Sequence, residues 1–135
     1  MNLSFSTRGW PGLSWDEMLE TAIDMGFSGV EVYNLPKFDL LSDRSGPFHK
    51  YQTAATVRQL KEKKLSIPCL DTSWDISSDV TSVATLSDVL QAAHNTRVPY
   101  VACCALTDNE NVIRSHLRAL LPLAEHLEVT LLMKT

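Results

Sequence analysis

The chain has 135 residues, of which 44% are hydrophobic and 21% charged, a composition typical of one soluble globular domain and unlike that of a disordered segment. Its formal net charge of −4 provides no basic field for a polyphosphate backbone, so we expect no nucleic-acid partner. No apolar run approaches the roughly 18 to 20 residues of a membrane helix, and the N-terminus lacks a basic segment followed by an apolar one. A cytoplasmic protein without a membrane partner is therefore expected.

Turn and capping residues mark the first strand and the first helix. Asn2–Ser6 predicts a strand, and the Gly-Trp-Pro-Gly sequence at 9–12 must end it. Ser14 predicts a helix N-cap, with Glu17 three residues later completing a capping box. Gly26 supplies the left-handed residue at which such a helix stops.

The second strand carries an acidic residue inside an apolar run. Gly29–Tyr33 predicts this strand, and Glu31 points to the face opposite Val30 and Val32 because side chains alternate along a strand. The stretch Asn34–Phe48 follows and predicts an irregular loop, longer than the usual connection between a strand and a helix. We expect that loop to act as a lid or a pocket wall.

The same alternation continues to the end of the sequence. The remaining predicted elements are a helix over Tyr51–Lys64, a strand over Leu65–Thr72, a helix over Val80–His94, a strand over Tyr100–Ala105, a helix over Glu110–Leu127 and a strand over Val129–Thr135. Pro122 removes one hydrogen bond within the last helix and predicts a kink in a single element.

The histidines and cysteines predict no metal site. The four histidines fall in or beside predicted helices, and we expect each at the surface: His49, His94, His116 and His126. The three cysteines are an odd number in apolar strand-like runs, which indicates reduced, buried thiols: Cys69, Cys103 and Cys104. Because Cys103 and Cys104 are consecutive in one strand, they face opposite sides and cannot hold one metal ion together.

Five strands separated by four helices predict an α/β fold with right-handed βαβ units and a parallel sheet. Two architectures fit this count. One is a (βα)4β5 unit, the N-terminal half of a TIM barrel that has eight strands and about 250 residues when complete. The other is an open five-stranded flavodoxin-like sheet, although that fold normally adds a helix after its last strand. A half-barrel has two unpaired edge strands, so we expect either a homo-oligomer formed through these edges or a place within a longer protein.

Four segments carry a resemblance to a known family: Leu3–Trp10, the helix start Ser14-Trp15-Asp16-Glu17, the passage Met25-Gly26-Phe27-Ser28-Gly29-Val30-Glu31-Val32, and Val129-Thr130-Leu131-Leu132. Together they resemble the N-terminal half of the xylose-isomerase-like TIM-barrel superfamily of sugar phosphate isomerases and epimerases. The resemblance implies a divalent-metal enzyme, with Mn or Mg, that shifts a proton or hydride between adjacent carbons of a sugar or polyol.

The resemblance also bears on the metal. In the family pattern Val-Thr-Leu-x-x-Glu-Asn, the glutamate that ends strand five is a metal ligand, and the matching residue here is Lys134. The other ligands would come from strands six to eight, which this chain does not contain. Since a protonated lysine repels a cation, we expect no cofactor in this chain, and a metal only in a full-length family member.

Polar residues at predicted strand ends are the candidate site, because the loops that follow the strands meet there in a barrel. We interpret Glu31 and Lys134 as candidate catalytic residues. Asp71, Trp10 and Trp74 are candidate substrate-binding residues, with the two indoles stacking on the apolar face of a sugar.

Each of these residues also fits a plainer interpretation. Glu31 fits a buried salt bridge or a hydrogen bond to a neighbouring strand, and it is a candidate ion-pair partner of Lys134. Asp71 fits a turn in which it accepts from its own following amides, and the two tryptophans fit a cover over the barrel mouth. Lys134 fits a solvated terminus, an ammonium that replaces the charge of the metal, or a Schiff-base nucleophile.

Two functions fit these sequence features. The first is half of a sugar isomerase or epimerase whose metal site is incomplete, so that this chain alone is expected to be inactive. The alternative is a non-catalytic, self-associating half-barrel or binding module. A zinc-dependent DNA-repair enzyme of the same superfamily is disfavoured, because no histidine ends strand three or four and the net charge is acidic.

Overall fold

Five parallel strands form one sheet in the computed structural model, which describes residues 3–9, 12–33, 43–79 and 83–134. The strands are β1 (Ser4–Ser6), β2 (Gly29–Tyr33), β3 (Cys69–Asp75), β4 (Tyr100–Cys104) and β5 (Thr130–Lys134). The helices are α1 (Trp15–Asp24), α2 (Thr53–Glu62), α3 (Val83–Asn95) and α4 (Glu110–His126). A short 3-10 turn over Thr7–Gly9, which the sequence did not predict, follows β1.

The order of the strands decides between the two predicted architectures. Each strand pairs in parallel with the next one along the chain, so the order is β1-β2-β3-β4-β5. A flavodoxin-like sheet instead runs 2-1-3-4-5 and carries helices on both faces. Sequential parallel neighbours joined by right-handed crossovers carry all their helices on one face, as in a barrel wall. The half-barrel prediction is confirmed, and the flavodoxin-like alternative is wrong.

Side-chain alternation gives the sheet a helix-covered face and an open face. The strand residues buried on the helix-covered face are Phe5, Val30, Val32, Leu70, Val101 and Cys103. Helix side chains such as Leu19, Leu90 and Leu120 complete this core. We use the term open face for the opposite side, which carries the intervening residues of each strand: Ser6, Glu31, Tyr33, Asp71, Ala102, Cys104, Leu132 and Lys134.

The capping signals of α1 behave as predicted. The Ser14 hydroxyl oxygen accepts from the Glu17 amide at 3.3 Å, and the same hydroxyl donates to the Glu17 carboxylate at 2.9 Å. Gly26 has φ +81°, and the Phe27 amide next to it donates to the Ala22 carbonyl at 2.9 Å. The bonds of the Glu17 amide and of the Ala22 carbonyl satisfy backbone groups that the first and last turns of a helix leave unpaired.

The third strand begins and ends later than the sequence predicts. Lys64 has φ +55°, and the Leu65 amide donates to the Leu60 carbonyl, so the chain is still closing α2 where the strand was expected to start. Ser66 makes only an isolated bridge to Gly29, and Pro68 has no amide to donate to a neighbouring strand. Regular pairing therefore starts at Cys69 and continues past the predicted end.

The last helix, α4, runs through Pro122 without interruption, so a single element is confirmed. Its His116 corrects the prediction that every histidine lies at the surface. His116 is buried, and its Nδ1 lies 2.7 Å from the Ile76 carbonyl oxygen.

Within the described ranges, no helix combines the length and apolarity needed to cross a bilayer.

Candidate functional site

The candidate site lies on the open face of the sheet, towards the carboxyl ends of its strands. Glu31 is the middle residue of β2 and Tyr33 is its last, and Tyr33 pairs in register with Asp71 of β3. Asp71 in turn pairs with Ala102 of β4, and Lys134 is the last residue of β5. The alternation of side chains places all of these residues on the same face. Glu31 and Lys134 thus emerge on one side of the molecule, as a site at the strand ends requires.

Asp71 and Lys134 form an ion pair that spans β4. The Lys134 ammonium donates to Asp71 Oδ2, while Asp71 Oδ1 accepts from the Ser73 amide at 3.0 Å. The aspartate side chain is only 4% exposed, whereas that of Lys134 is 48% exposed. On the intervening strand β4, Ala102 pairs with Asp71 and Cys104 pairs with Lys134, so the lysine reaches the aspartate diagonally across β4. The anionic end of the pair is therefore fixed, and the cationic end faces solvent.

The environment of Lys134 keeps its amine charged. The hydrogen bond to Asp71 is the main cause that raises the pKa of Lys134 above its ordinary value, and the negative charges of Asp71 and Glu31 act in the same direction. Burial opposes this shift only in part. A Schiff-base nucleophile needs a lowered amine pKa, so the direction of the shift disfavours that interpretation of Lys134.

The contacts of the ion pair distinguish between the alternative interpretations of Asp71 and of Glu31. Asp71 makes the predicted turn with the Ser73 amide, and it binds Lys134 at the same time. Glu31 is half-buried on β2 and acts on Lys134 through its charge, but the ion-pair partner of Lys134 is Asp71. The carboxylate nearest to the ammonium is thus the one on the central strand.

Tyr33 is a site residue that the sequence patterns alone did not single out. Its ring centroid lies 5.7 Å from Lys134 Nζ and 5.2 Å from the guanidinium carbon of Arg8, so two cations share one aromatic ring. The Tyr33 amide donates to the hydroxyl oxygen of the buried Thr7 at 2.9 Å. Because Tyr33 follows Glu31 by two positions on one strand, side-chain alternation was the signal that could have identified it.

A β-bulge shapes the end of β3. The register shifts between the Asp71 and Asp75 pairs with β4, and Ser73 has φ +57°. Trp74 is half-buried and packs against the apolar core, while its amide donates to the Thr72 hydroxyl oxygen at 3.2 Å. Trp10, the other tryptophan predicted to bind substrate, lies outside the described residues.

The loops after β3 and β4 are tied together beside this site. Asp75 Oδ1 accepts from the amide of Ser77 at 2.9 Å and from that of Leu106 at 3.1 Å. The Thr107 amide donates to the Ser77 hydroxyl oxygen at 3.1 Å. These bonds join the two adjacent loops that follow β3 and β4, and they hold these loops together at the carboxyl ends of the two strands.

The cysteines near the site are free thiols in unreactive surroundings. Cys103 is fully buried on the helix-covered face, and burial is the main cause that raises its pKa to about 11. Burial also raises the pKa of Cys69 to about 11 and that of Cys104 above its ordinary value. A thiol that stays protonated near neutral pH is a poor nucleophile and a poor metal ligand.

The described side chains of this site offer no set of ligands for a divalent metal ion. Over ranges 3–9, 12–33, 43–79 and 83–134, no three His, Cys, Asp or Glu side chains gather closely enough to hold one. Asp71 is the buried carboxylate of the site, but its two oxygens already accept from Lys134 and Ser73. A cation bound there would also lie next to an ammonium group, which repels it.

Solved structures share this fold, although no family model and no curated protein matches the sequence. A D-psicose 3-epimerase crystallised in the presence of D-fructose aligns with a TM-score of 0.72 and 11% identity, over 97% of this chain and 51% of its own. An uncharacterised protein from Parabacteroides distasonis ATCC 8503 aligns with a TM-score of 0.69 and 11% identity, over 98% of this chain and 52% of its own. A xylose isomerase domain protein from Planctomyces limnophilus aligns with a TM-score of 0.64 and 12% identity, over 100% of this chain and 52% of its own.

The chain therefore spans about half the length of these structures, and it has the fold of half a xylose-isomerase-like TIM barrel. At such low identity the likeness establishes the fold alone. The fold expected from the resemblance in the sequence is confirmed.

Proposed function

We propose that this chain forms one half of the small-molecule site of an isomerase- or epimerase-like TIM barrel that acts on a sugar or polyol. The observation that carries the proposal is the grouping of Glu31, Tyr33, Asp71 and Lys134 on the open face, towards the carboxyl ends of parallel strands. Active sites of TIM-barrel enzymes lie at that end of the barrel. The solved structures of the same fold include a D-psicose 3-epimerase, which supports the same class of reaction.

Glu31 is the candidate proton acceptor in this proposal. Its carboxylate takes a proton from the hydroxyl-bearing carbon beside a carbonyl group; the electron pair of that C–H bond forms a C=C bond, and the π pair of the carbonyl moves onto its oxygen to give an enediolate. Protonation of the former carbonyl carbon by the Glu31 carboxyl, with transfer of the hydroxyl proton to the negatively charged oxygen, gives the isomer. Protonation of the first carbon on its opposite face, by an acid on that side, gives the epimer. Lys134 supplies the positive charge beside the oxygen that becomes negative.

Of the three predicted substrate-binding residues, Trp10, Asp71 and Trp74, the proposal keeps the two tryptophans as direct contacts to the sugar. The indole rings offer flat apolar surfaces on which the C–H face of a sugar stacks. Asp71 contributes through Lys134, because its side chain is nearly buried and both of its oxygens already accept hydrogen bonds.

A binding titration tests the proposal on the 135-residue chain. D-fructose is a suitable probe because it is a neutral ketose, and binding is followed by isothermal calorimetry and by NMR shifts of Glu31, Tyr33 and Trp74. We expect saturable binding that Glu31→Gln weakens several-fold. Glu20→Gln, which changes a glutamate of α1 that pairs with Lys63, should leave the binding unchanged. If neither D-fructose nor a panel of aldoses and polyols shifts these signals, the proposal is refuted.

A second candidate, a non-catalytic homo-oligomer, is favoured by the apolar edge of the sheet. Leu132 and Met133 on the edge strand β5 are 41% and 40% exposed. The helix α4 borders a groove of about 600 Å³, lined by the apolar Ile113, Leu117, Leu121 and Pro122 and by the charged Glu110, Arg114 and Arg118. Exposed edge strands and exposed apolar surfaces are common sites of association between chains.

The oligomeric state decides this second candidate. Light scattering during gel filtration at micromolar concentration should show a dimer or a larger assembly, and Met133→Lys should shift it towards the monomer. Leu106→Lys is the matched control, since Leu106 is 76% exposed but belongs to the loop after β4 and not to the edge strand. A monodisperse monomer at these concentrations would contradict self-association through the edge.

A further inference from the structure

Lys134 has hydrogen-bonding capacity that the described protein does not use. An ammonium group carries three N–H donors, and one of them goes to Asp71 Oδ2. In the parts of the chain that the structure describes, no other hydrogen-bond acceptor of Lys134 is found, and its side chain is 48% exposed. Two of its donors are therefore left for a ligand, as far as the described residues show.

The position of this ammonium is fixed by rigid neighbours. A lysine side chain is usually mobile, because its charge lies at the end of a flexible four-carbon stem. Here the partner carboxylate is 4% exposed on the central strand β3, and the Ser73 amide holds its other oxygen at 3.0 Å. The Tyr33 ring lies on a third strand, with its centroid 5.7 Å from Nζ. Groups on β2, β3 and β5 thus hold the cation in place before any ligand arrives.

The described charges of the open face include no surplus of positive charge. Lys134 and Arg8 both lie over the Tyr33 ring, and the carboxylates of this face are Glu31, Asp71 and Asp75, the last of which pairs in register with Cys104. This arrangement leaves no surplus of positive charge for a phosphate or another dianion. A ligand that brings several neutral oxygens fits the balance better than a charged one.

We propose that Lys134 is a fixed oxygen-binding cation, which uses its two remaining donors to hold adjacent oxygens of a neutral sugar or polyol without a divalent metal. The ligand class is a vicinal diol or a hydroxyl group next to a carbonyl, because two neighbouring oxygens match two donors on one nitrogen. Asp71 and Tyr33 are positioning residues, since they act on the substrate through Lys134. This inference rests on the proposed function and adds to it the class of substrate and the source of the positive charge.

The geometry also explains why a metal ion is not needed at this position. A divalent cation binds neighbouring oxygens and stabilises negative charge on them. A held ammonium does the same with N–H donors and with a single charge, and it repels a cation that approaches Asp71. The hydrogen bond that raises the pKa of Lys134 keeps the group charged at neutral pH.

The test compares D-fructose with D-fructose 6-phosphate, each measured in EDTA and in Mn2+, by calorimetry on the full chain. We expect D-fructose to bind with the same affinity, within about twofold, under both conditions, and the phosphate ester to bind no more tightly. Lys134→Met should weaken the binding of D-fructose at least tenfold. Lys63→Met is the matched control, since it also removes a lysine from an ion pair with a carboxylate, and it should change nothing.

A second measurement separates positioning from general stability. The NMR signals of the Lys134 side chain report its titration, and Asp71→Asn should lower the midpoint of that titration while the chain stays folded. Tyr33→Phe should retain the binding of D-fructose and Tyr33→Leu should weaken it, because the aromatic face is the part of Tyr33 that contacts the cation.

Each alternative result has a distinct meaning. Binding of D-fructose that requires Mn2+ would overturn the inference while supporting the proposed function. Binding in EDTA that survives Lys134→Met would also overturn the inference alone, and phosphate-ester binding tenfold tighter than that of D-fructose would overturn the neutral ligand class. Failure of every sugar to bind, with and without Mn2+, would remove both the inference and the proposed function.

Discussion

Replacing Lys134 by methionine should destabilise the chain although the lysine lies at an exposed sheet edge. The substitution keeps the length and apolar stem of the side chain but removes the ammonium that Asp71 binds. The aspartate side chain is 4% exposed, so its carboxylate would keep the Ser73 amide as its hydrogen-bond partner but lose its counter-ion. The cost therefore comes from a buried charge left without compensation.

The size of the effect follows from the exposure of the two partners. An exposed ion pair contributes about 0 to 1 kcal/mol, whereas removing one partner of a fully buried pair costs about 3 to 5 kcal/mol. Here one partner is buried and the other is 48% exposed, so water can replace part of the lost interaction. We expect Lys134→Met to lower the free energy of unfolding by about 1 to 3 kcal/mol, between these two limits.

Urea unfolding followed by circular dichroism at pH 7 measures this free energy, and a double-mutant cycle isolates the pair. The double variant Lys134→Met with Asp71→Asn should be less destabilised than the sum of the two single variants, because no charge stays buried alone. The pair Lys63 and Glu20 provides the matched cycle, for which we expect little coupling because its carboxylate is 58% exposed, whereas that of Asp71 is 4% exposed. The reasoning fails if Lys134→Met costs no more than Lys63→Met, or if the two substitutions at the site are additive.

Three further predictions follow from the described contacts. Because Asp71 raises the folded-state pKa of Lys134, the pair stabilises the chain fully below the unfolded-state pKa of about 10.4 and loses its effect as the pH rises through the folded-state value. The difference in urea midpoint between the natural chain and Lys134→Met should therefore narrow over this pH range. A constant difference would contradict the link between the ion pair and stability. Ser14→Ala removes the N-cap of α1 and should lower the free energy of unfolding by about 1 kcal/mol, while Ser115→Ala, at an exposed helix position, should not lower it. In a variant with Cys69 and Cys104 replaced by serine, Cys103 should react with a thiol reagent at pH 8 only as fast as the chain unfolds, and immediate labelling of the folded chain would contradict its burial.

The elements and the faces of this fold could be predicted from local sequence patterns. The helix α1 begins after Ser14 and ends before Gly26, as predicted. A hydroxyl cap and a left-handed residue act on the adjacent backbone, so their effect does not depend on the rest of the chain. Glu31 lies on the face opposite Val30 and Val32, because side chains alternate in any extended strand. These signals depend on neighbours a few residues away, and such neighbours are visible in the sequence.

The bounds of β3 were predicted less well, because they depend on contacts with other strands. The sequence Leu65–Thr72 has the apolar character of a strand, but pairing with β4 starts at Cys69 and pairing with β2 at Leu70. The bulge after Asp71 then carries the strand to Asp75. The burial of His116 was not predictable for a similar reason, since the Ile76 carbonyl that binds it lies 40 positions away.

The candidate site was predicted as a set of residues but not as an arrangement. Glu31, Asp71 and Lys134 are identifiable because each follows or interrupts an apolar strand. The partner of Lys134 is 63 positions away and was not identifiable, since the ion pair depends on the register of β5 against β4 and of β4 against β3. The contacts of Arg8 and Lys134 with the Tyr33 ring were not identifiable either, because they join three different segments of the chain.

The sequence by itself determined that strands and helices alternate, that the strands are parallel, and which side chains share a face. These properties follow from hydrophobic periodicity and from caps, which act over one turn of helix or a few residues of strand. Only the tertiary structure decided the order β1-β2-β3-β4-β5, and with it the choice of a half-barrel over a doubly wound sheet. Only that structure placed the Lys134 ammonium on Asp71, because a contact across three strands is set by strand order and register, which no local pattern encodes.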